Sequence, residues 1–273
     1  MKFVTIQNHR LAYREEGQGP VLLFVHGTPT SSFEYVELFH RLKPAFRCVA
    51  MDMLGFGESD KPKDGDYSLS GHTDRLRLFI RYLSLDEFHL VLHDFGGVIG
   101  LPVALEMKNK VRSLTLMNTW AWPLIETQPS LRFQQWLMKS RLMVWLYLRA
   151  NFSARVLLKM SWGKYRPLTK EKHLAYQSFF KTAAERYGTV GFLKALFDFE
   201  NPAWAIGGRL SELQSLPVRV IWGKADQLVA LPNLERWKDL LPQAQVTEIE
   251  TAGHYVADEA ADLVAAAMKT LCL

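Results

Sequence analysis

Leu90-Val91-Leu92-His93-Asp94-Phe95-Gly96-Gly97-Val98-Ile99-Gly100 is the stretch on which the reading of this chain turns. An apolar run beginning at Phe88 stops at one histidine and one aspartate, two glycines follow, and a helical apolar segment begins. Apolar runs of this length without alternation suit strands buried on both faces. A sharp strand-to-helix turn here would push the Asp94 side chain out above the end of the strand. Such a turn needs a small residue two positions later, and Gly96 supplies it. Leu92 is larger than the small residue usually found two positions before. The helix start offers backbone N–H groups and a positive dipole end, which keep a carboxylate ionised. Taken alone, the segment serves equally well as an ordinary helix with an N-cap aspartate.

Five more strand-type runs surround it: Val21–Val25, Phe46–Met51, Val111–Met117, Val218–Trp222 and Val246–Ile249. With helical stretches between them they predict an α/β fold, a mostly parallel sheet with crossover helices on both faces. Lys2–Gln7 and Leu11–Glu15 read as an antiparallel hairpin at one edge. Between 121 and 207 the alternation stops, and large apolar residues recur at helical spacing, as in Leu131, Trp136, Leu137, Leu142, Trp145 and Leu148. The expected organisation is a core of residues 1–120 and 208–273 with a helical cap, 121–207, inserted after the fourth of the parallel strands. That segment holds 13 Lys/Arg against 5 Asp/Glu, a net +8, which leaves −3 for the rest of a chain whose total is +5. Such an excess reads either as a solvated helical face or as attraction for anionic substrates.

Composition sets outer bounds. The 273 residues, 48% hydrophobic and 22% charged, suit one globular core with an insertion. The first ten residues read as a strand and a turn and not as a signal peptide, and no apolar stretch is long enough to span a membrane. Cys48 and Cys272 give no disulfide framework and read as structural thiols in a reducing, cytoplasmic compartment. No Cys/His cluster has zinc spacing. A charge of +5 is too mild to argue for nucleic acid. The expected partners are a small-molecule substrate and water, with no cofactor, no nucleic acid and no membrane.

Three further segments bear on Asp94. His26-Gly27-Thr28-Pro29-Thr30-Ser31-Ser32 follows an apolar strand and reads as a loop offering the Thr28 N–H to an oxyanion, with the Phe95 N–H as a second donor. Trp222-Gly223-Lys224-Ala225-Asp226 places an acid just beyond a late strand, and Gly253-His254-Tyr255 a histidine before the last helix. The order 94–226–254 is nucleophile, acid, base.

These segments, together with Asp52-Met53-Leu54-Gly55-Phe56-Gly57-Glu58-Ser59-Asp60-Lys61-Pro62, resemble the α/β-hydrolase superfamily. Within it the chain is most similar to the haloalkane dehalogenases and their epoxide-hydrolase relatives. The likeness covers the core and only loosely the cap. The Asp52–Pro62 stretch is common to many members and marks the fold. The aspartate at the elbow is more specific, because it separates alkyl-transferring hydrolases from serine esterases. The resemblance implies a carboxylate nucleophile, already anionic at neutral pH, that attacks an sp3 carbon and becomes an ester. It also implies that His254 activates water and that Asp226 orients His254. Some dehalogenases carry the acid after the strand preceding the cap. Here that place reads Asn118-Thr119-Trp120, so Asp226 takes the role.

The departures concern the leaving group. Dehalogenases usually have Trp after the nucleophile, where this chain has Phe95, and often Asn or Glu where it has Thr28. A departing halide needs donors. Trp120, Trp122 and Trp162 are candidates, with hydrophobic packing as the other reading. In epoxide hydrolases cap tyrosines serve the oxygen; Tyr165, Tyr176 and Tyr187 lie in the segment, without a recognisable motif. A haloalkane dehalogenase-like hydrolase is the first expectation. An epoxide or lactone hydrolase, or a ligand-binding pseudoenzyme, is the alternative.

Overall fold

A computed structural model describes residues 1–272. The strands are β1 (Lys2–Ile6), β2 (His9–Glu16), β3 (Val21–Val25), β4 (Arg47–Met51), β5 (Phe88–Asp94), β6 (Val111–Thr119), β7 (Val218–Gly223) and β8 (Gln245–Ile249). They form one sheet in the order β1-β2-β4-β3-β5-β6-β7-β8. β1 and β2 are antiparallel, as are β2 and β4, and every other pair is parallel. The expected edge hairpin and the six apolar strands are all present.

The core helices are α1 (Val36–Leu42), α2 (Leu69–Tyr82) and α3 (Phe95–Glu106). Between β6 and β7 the described residues form no strand but α4 (Leu131–Met138), α5 (Arg141–Ala150), α6 (Leu158–Ser161), α7 (Lys170–Ser178) and α8 (Tyr187–Leu196). α9 (Pro232–Leu240), α10 (Val256–Glu259) and α11 (Ala261–Cys272) complete the chain. None of these helices is long and apolar enough to cross a membrane.

The strands read as apolar throughout because both of their faces are covered. Leu23, Val49, Leu90, Leu92, Leu116 and Val220 join α2 and α3 in one cluster; Leu22, Cys48, Val91, Met117 and Ile221 join α1 and α11 in the other. The period of two sends successive residues to opposite layers. Each fully buried Leu, Val or Ile contributes about 1.5–3 kcal/mol.

Leu92 is accommodated by a second substitution of size. A Cβ added to Gly100, two helical turns into α3, would stand 2.3 Å from Leu92 Cδ2. The bulk missing from Gly100 is thus the room that Leu92 occupies. Gly100→Ala should cost about 1–3 kcal/mol through overpacking. Combining it with Leu92→Ala should recover at least about 1 kcal/mol relative to the sum of the two single losses. Urea melts of the two single variants and the double measure this, and strictly additive losses would refute the pairing.

Candidate active site

Asp94 ends β5 and caps α3 with φ +51° and ψ −129°, a conformation that L-residues rarely adopt. Three glycines make room for it. A Cβ on Gly27 would lie 2.0 Å from Asp94 Oδ2, one on Gly96 2.0 Å from the Val25 carbonyl, and one on Gly97 1.8 Å from Thr119 Oγ1. Thr119 donates its hydroxyl to the Asp94 carbonyl at 2.6 Å and accepts at its own carbonyl from Trp237 Nε1 at 2.7 Å. The Thr28 N–H donates to Asp94 Oδ2 at 2.7 Å, and Phe95 is the first residue of α3. Of the two expected backbone donors, the Thr28 N–H meets the carboxylate, and the Phe95 N–H belongs to the first residue of the helix that follows it.

The loop carrying Thr28 is shaped by residues that the sequence marks only as fold signature. Met53 N–H donates to His26 Nε2 at 2.9 Å, so His26 donates from Nδ1 to the Gly27 carbonyl at 2.7 Å. Burial lowers the His26 pKa, which keeps it neutral in that role. Asp52 accepts from Ser32 N and Glu58 N at 2.7 and 2.9 Å, joining the two loops.

His254 Nδ1 lies 2.8 Å from Asp226 Oδ2, and its Nε2 points at Asp94 Oδ1 from 3.6 Å, beyond ordinary hydrogen-bond length. Both His254 and Asp226 are buried. Asp226 Oδ1 accepts from the N–H groups of Leu228 and Val229 at 2.7 and 3.1 Å. Asn118 supplies what the sequence does not announce. It sits at positive φ near the end of β6, donates to Asp226 Oδ2 at 2.8 Å, and accepts from Gly223 N–H at 2.8 Å. The position where some relatives carry the acid here carries an amide that holds the acid from β7.

The other face of the imidazole loop is fixed twice. His93, beside the elbow, donates from Nε2 to the His254 carbonyl at 2.8 Å, and its Nδ1 is hydrogen-bonded to the buried Glu34 Oε1 at 3.0 Å. The segment after α6 packs directly on the loop. His254 N–H donates to the Ser161 carbonyl at 2.9 Å, a Cβ on Gly163 would fall 2.2 Å from Gly253 N, and Glu259 Oε2 accepts from Gly163 N–H and Gly253 N–H at 2.8 and 2.9 Å. Burial raises the Glu259 pKa to about 7, against the pull of those two donors. His93, Glu34 and Glu259 were all legible as residues, but nothing in their spacing announces these contacts.

A cavity of about 270 Å³ opens over Asp94, bounded by Thr28, Phe95, Trp120, Tyr147, Phe192 and Tyr255 among others. Of the three tryptophans proposed from sequence, only Trp120 borders it. Trp122 donates its indole N–H to Asn233 Oδ1 at 2.9 Å, and Trp162 donates to the Arg166 carbonyl at 2.7 Å. Both indoles are spent elsewhere, and neither residue lines the cavity, which corrects that expectation. The named tyrosines also lie elsewhere: Tyr176 donates to Asp258 and Tyr165 to Asp262. The cavity tyrosines are Tyr147, facing inward from α5, and Tyr255, next to His254. On α5 the inward residues are Met143 and Tyr147, while Leu142 and Trp145 face out. Helical spacing alone does not say which apolar stripe is the inner one.

Three buried polar atoms on cavity residues have no hydrogen-bond partner among the described residues, Thr28 Oγ1, Trp120 Nε1 and Tyr255 Oη, and His254 Nε2, which faces Asp94, is likewise without one. Burial, then the charge of Asp94, raises the Tyr147 and Tyr255 pKa values, so both phenols stay donors. Among the described residues no group of three His, Cys, Asp or Glu is placed to hold a metal ion. Phe95 stacks on Phe192 at 4.4 Å and meets the edge of Trp120 at 5.0 Å.

The electrostatics put one imidazole between two carboxylates. Burial disfavours its charge, but Asp226 and then Asp94 outweigh burial and raise the His254 pKa well above its ordinary value. If Asp94 were converted to a neutral ester, one of those two anions would vanish and the ring would release its proton more readily. The set can thus hold a cation before an alkylation and a base after it.

A family described as alpha/beta hydrolase fold matches residues 20–261. A cis-3-alkyl-4-alkyloxetan-2-one decarboxylase of Shewanella oneidensis is 30% identical over 273 residues, covering 96% of this chain and 85% of that protein. Haloalkane dehalogenase 2 of Mycobacterium tuberculosis is 32% identical over 265 residues, covering 95% of this chain and 90% of that one. A crystal structure of a loop variant of haloalkane dehalogenase DbeA from Bradyrhizobium elkanii superposes with a TM-score of 0.87 at 22% identity, over 98% of this chain and 94% of that one, and so shares the fold.

Asp94→Asn should lower the His254 pKa, and Asp226→Asn should lower it further, as read by NMR titration of the ring. Because the folded value is raised, the stabilisation it carries is fully present below about pH 6.5, the unfolded value, and is lost as pH rises through the folded value. The stability difference between the wild type and His254→Gln should shrink over that window. A difference that is flat with pH would remove the ion triad as a source of stability.

Proposed function

Since the chain belongs to the α/β-hydrolase fold family and is a hydrolase, we propose that it works through an alkyl-enzyme ester on Asp94, in the manner of a haloalkane dehalogenase. The observation that carries this is the carboxylate at the elbow, flanked by the Thr28 N–H and faced by a His254–Asp226 pair across 3.6 Å. Asp94 Oδ attacks an sp3 carbon of the substrate. The new C–O bond forms as the bond to the leaving group breaks, and the leaving group departs with the electron pair. Esterification removes the Asp94 charge, so His254 releases its Nε2 proton to the departing group or to solvent and becomes the base. His254 Nε2 then takes a proton from water as the water oxygen attacks Asp94 Cγ. The Thr28 and Phe95 N–H groups hold the tetrahedral oxyanion until it collapses to carboxylate and alcohol. Asp226, positioned by Asn118, stabilises the imidazolium. Helices of the 121–207 segment act as the cap that excludes water, with α4, α5 and α8 contributing cavity wall. Two buried free thiols, Cys48 and Cys272, agree with a cytoplasmic setting.

For the leaving group, Trp120 Nε1, Thr28 Oγ1 and Tyr255 Oη are the unpaired donors on the cavity wall. A second reading rests on a specific observation. Phe95 has no donor where dehalogenases usually have an indole, while the hydroxyls of Thr28, Tyr147 and Tyr255 suit a leaving oxygen. An epoxide or lactone, whose oxygen stays tethered after ring opening, fits that set, and a relative at 30% identity is named for a four-membered lactone.

Asp94→Ala should abolish turnover without loss of fold. His254→Phe should accumulate a covalent adduct on Asp94, visible by mass spectrometry with any substrate that the wild type converts. Recovery of unmodified protein would exclude the ester route. A panel of haloalkanes, epoxides and lactones, assayed for halide, diol and acid release, separates the two readings.

Phe95 gives a sharper discrimination. The stacked Phe192 ring leaves no space for an indole, so Phe95→Trp alone should lose activity through crowding. Phe95→Trp with Phe192→Ala opens that space and adds a donor beside the nucleophile. One charge-assisted hydrogen bond of about 1.5–3 kcal/mol is on the order of tenfold or more in rate. Halide release should rise in the double variant if halide is the natural leaving group. With a tethered oxygen it should gain nothing over Phe192→Ala.

A further inference from the structure

No residue of α4 is fully buried. Its inner edge, Leu131, Gln134 and Met138, forms part of the cavity wall. Its outer edge presents Phe133 at 88% and Trp136 at 83% exposure, with Leu137 beside them; α5 adds Leu142 at 58% and Trp145 at 55%. Positions 133, 136 and 137 share one helical face, as do 142 and 145. Single exposed apolar residues are ordinary, but five large ones on two adjoining helices are not.

The charged residues on these two helices have one sign. Leu131–Ala150 contains Arg132, Lys139, Arg141 and Arg149 and no Asp or Glu. None of the four makes an ion pair among the described residues, whereas Arg166, Lys172 and Arg236 pair with Asp262, Asp258 and Glu126. Asp198 and Glu200 line a groove together with Arg132 and Lys139, without pairing to either.

Aromatic and aliphatic side chains flanked by unpaired basic ones are the composition of a helix that lies in a lipid interface. The rings settle between headgroups and acyl chains, and the cations meet lipid phosphates. A second copy of the chain is a poor occupant, since a self-complementary contact would set four cations against four cations. We propose that the outer face of α4 and α5 docks peripherally on anionic phospholipid bilayers, which sets the Leu131–Met138 wall of the cavity at the lipid boundary. This contact departs from the expectation of no membrane partner, which rested on the lack of a spanning segment, because a peripheral contact needs none. It is independent of which substrate the site takes.

Co-sedimentation of the full chain with vesicles tests it, using phosphatidylcholine alone and an equimolar mixture with phosphatidylglycerol. The chain should partition onto the mixed vesicles at low salt, weakly onto phosphatidylcholine, and be released by high salt. Trp136→Ser with Trp145→Ser, and separately Lys139→Gln with Arg141→Gln, should each weaken partition by on the order of tenfold. Circular-dichroism melts of these surface variants should match the wild type. Failure to bind mixed vesicles at low salt, or equal binding by folded variants, would overturn the proposal. So would sedimentation equilibrium showing a dimer that Trp136→Ser disperses, because the patch would then belong to a second copy.

Discussion

Everything in the site depends on the backbone of Asp94 being held at positive φ where three chain segments nearly touch. β3 approaches through Gly27, β6 through Thr119, and α3 through Gly96 and Gly97. A side chain at any of the three glycines would occupy space already filled by neighbouring atoms. Strain of this kind costs about 1–3 kcal/mol and persists only where surrounding contacts over-determine it. Here the contacts are the Thr119 hydroxyl on the Asp94 carbonyl and the Thr28 N–H on its carboxylate. The tight turn brings the Asp94 carboxylate and the Thr28 N–H within one hydrogen bond of each other.

The same place shows how far the sequence could be read. Strand runs and the order 94–226–254 were legible because parallel strands carry no alternation and because chain order is a one-dimensional property. The cavity wall was legible only in part. Trp120 was found, but Trp122 and Trp162 were indistinguishable from it in sequence, since an indole engaged by Asn233 or by a carbonyl looks the same as a free one. Tyr147 escaped because the 131–148 region is apolar on more than one face, so periodicity does not identify the inner stripe. Asn118 was noted only as a missing carboxylate; its amide bridge from β6 to Asp226 requires knowing that β6 and β7 are neighbours.

In the proposed reaction, one imidazole between two carboxylates separates alkylation from hydrolysis in time. With Asp94 ionised, the ring is held cationic and is a poor base, so water near the nucleophile is left alone. After alkylation only Asp226 remains as a counter-charge, and Asn118, Leu228 and Val229 keep that carboxylate in place. The charge state of the intermediate thus switches on the step that consumes it. The chain needs no moving part for this order of events.

The contact between the loop of His254 and the segment after α6 has a mechanical consequence. Ser161, Lys164 and Tyr165 are joined to residues 251–254 by backbone hydrogen bonds, and Gly163 packs on Gly253 with no room for a side chain. A lid hinged as one body over the sheet would tear these bonds and carry the base away from the nucleophile each time it opened. An opening of the cavity that spares these bonds has to leave the α6 end of the segment fastened. The covering helices behave as a flap sewn along one edge, and the stitched edge is the one that carries the chemistry.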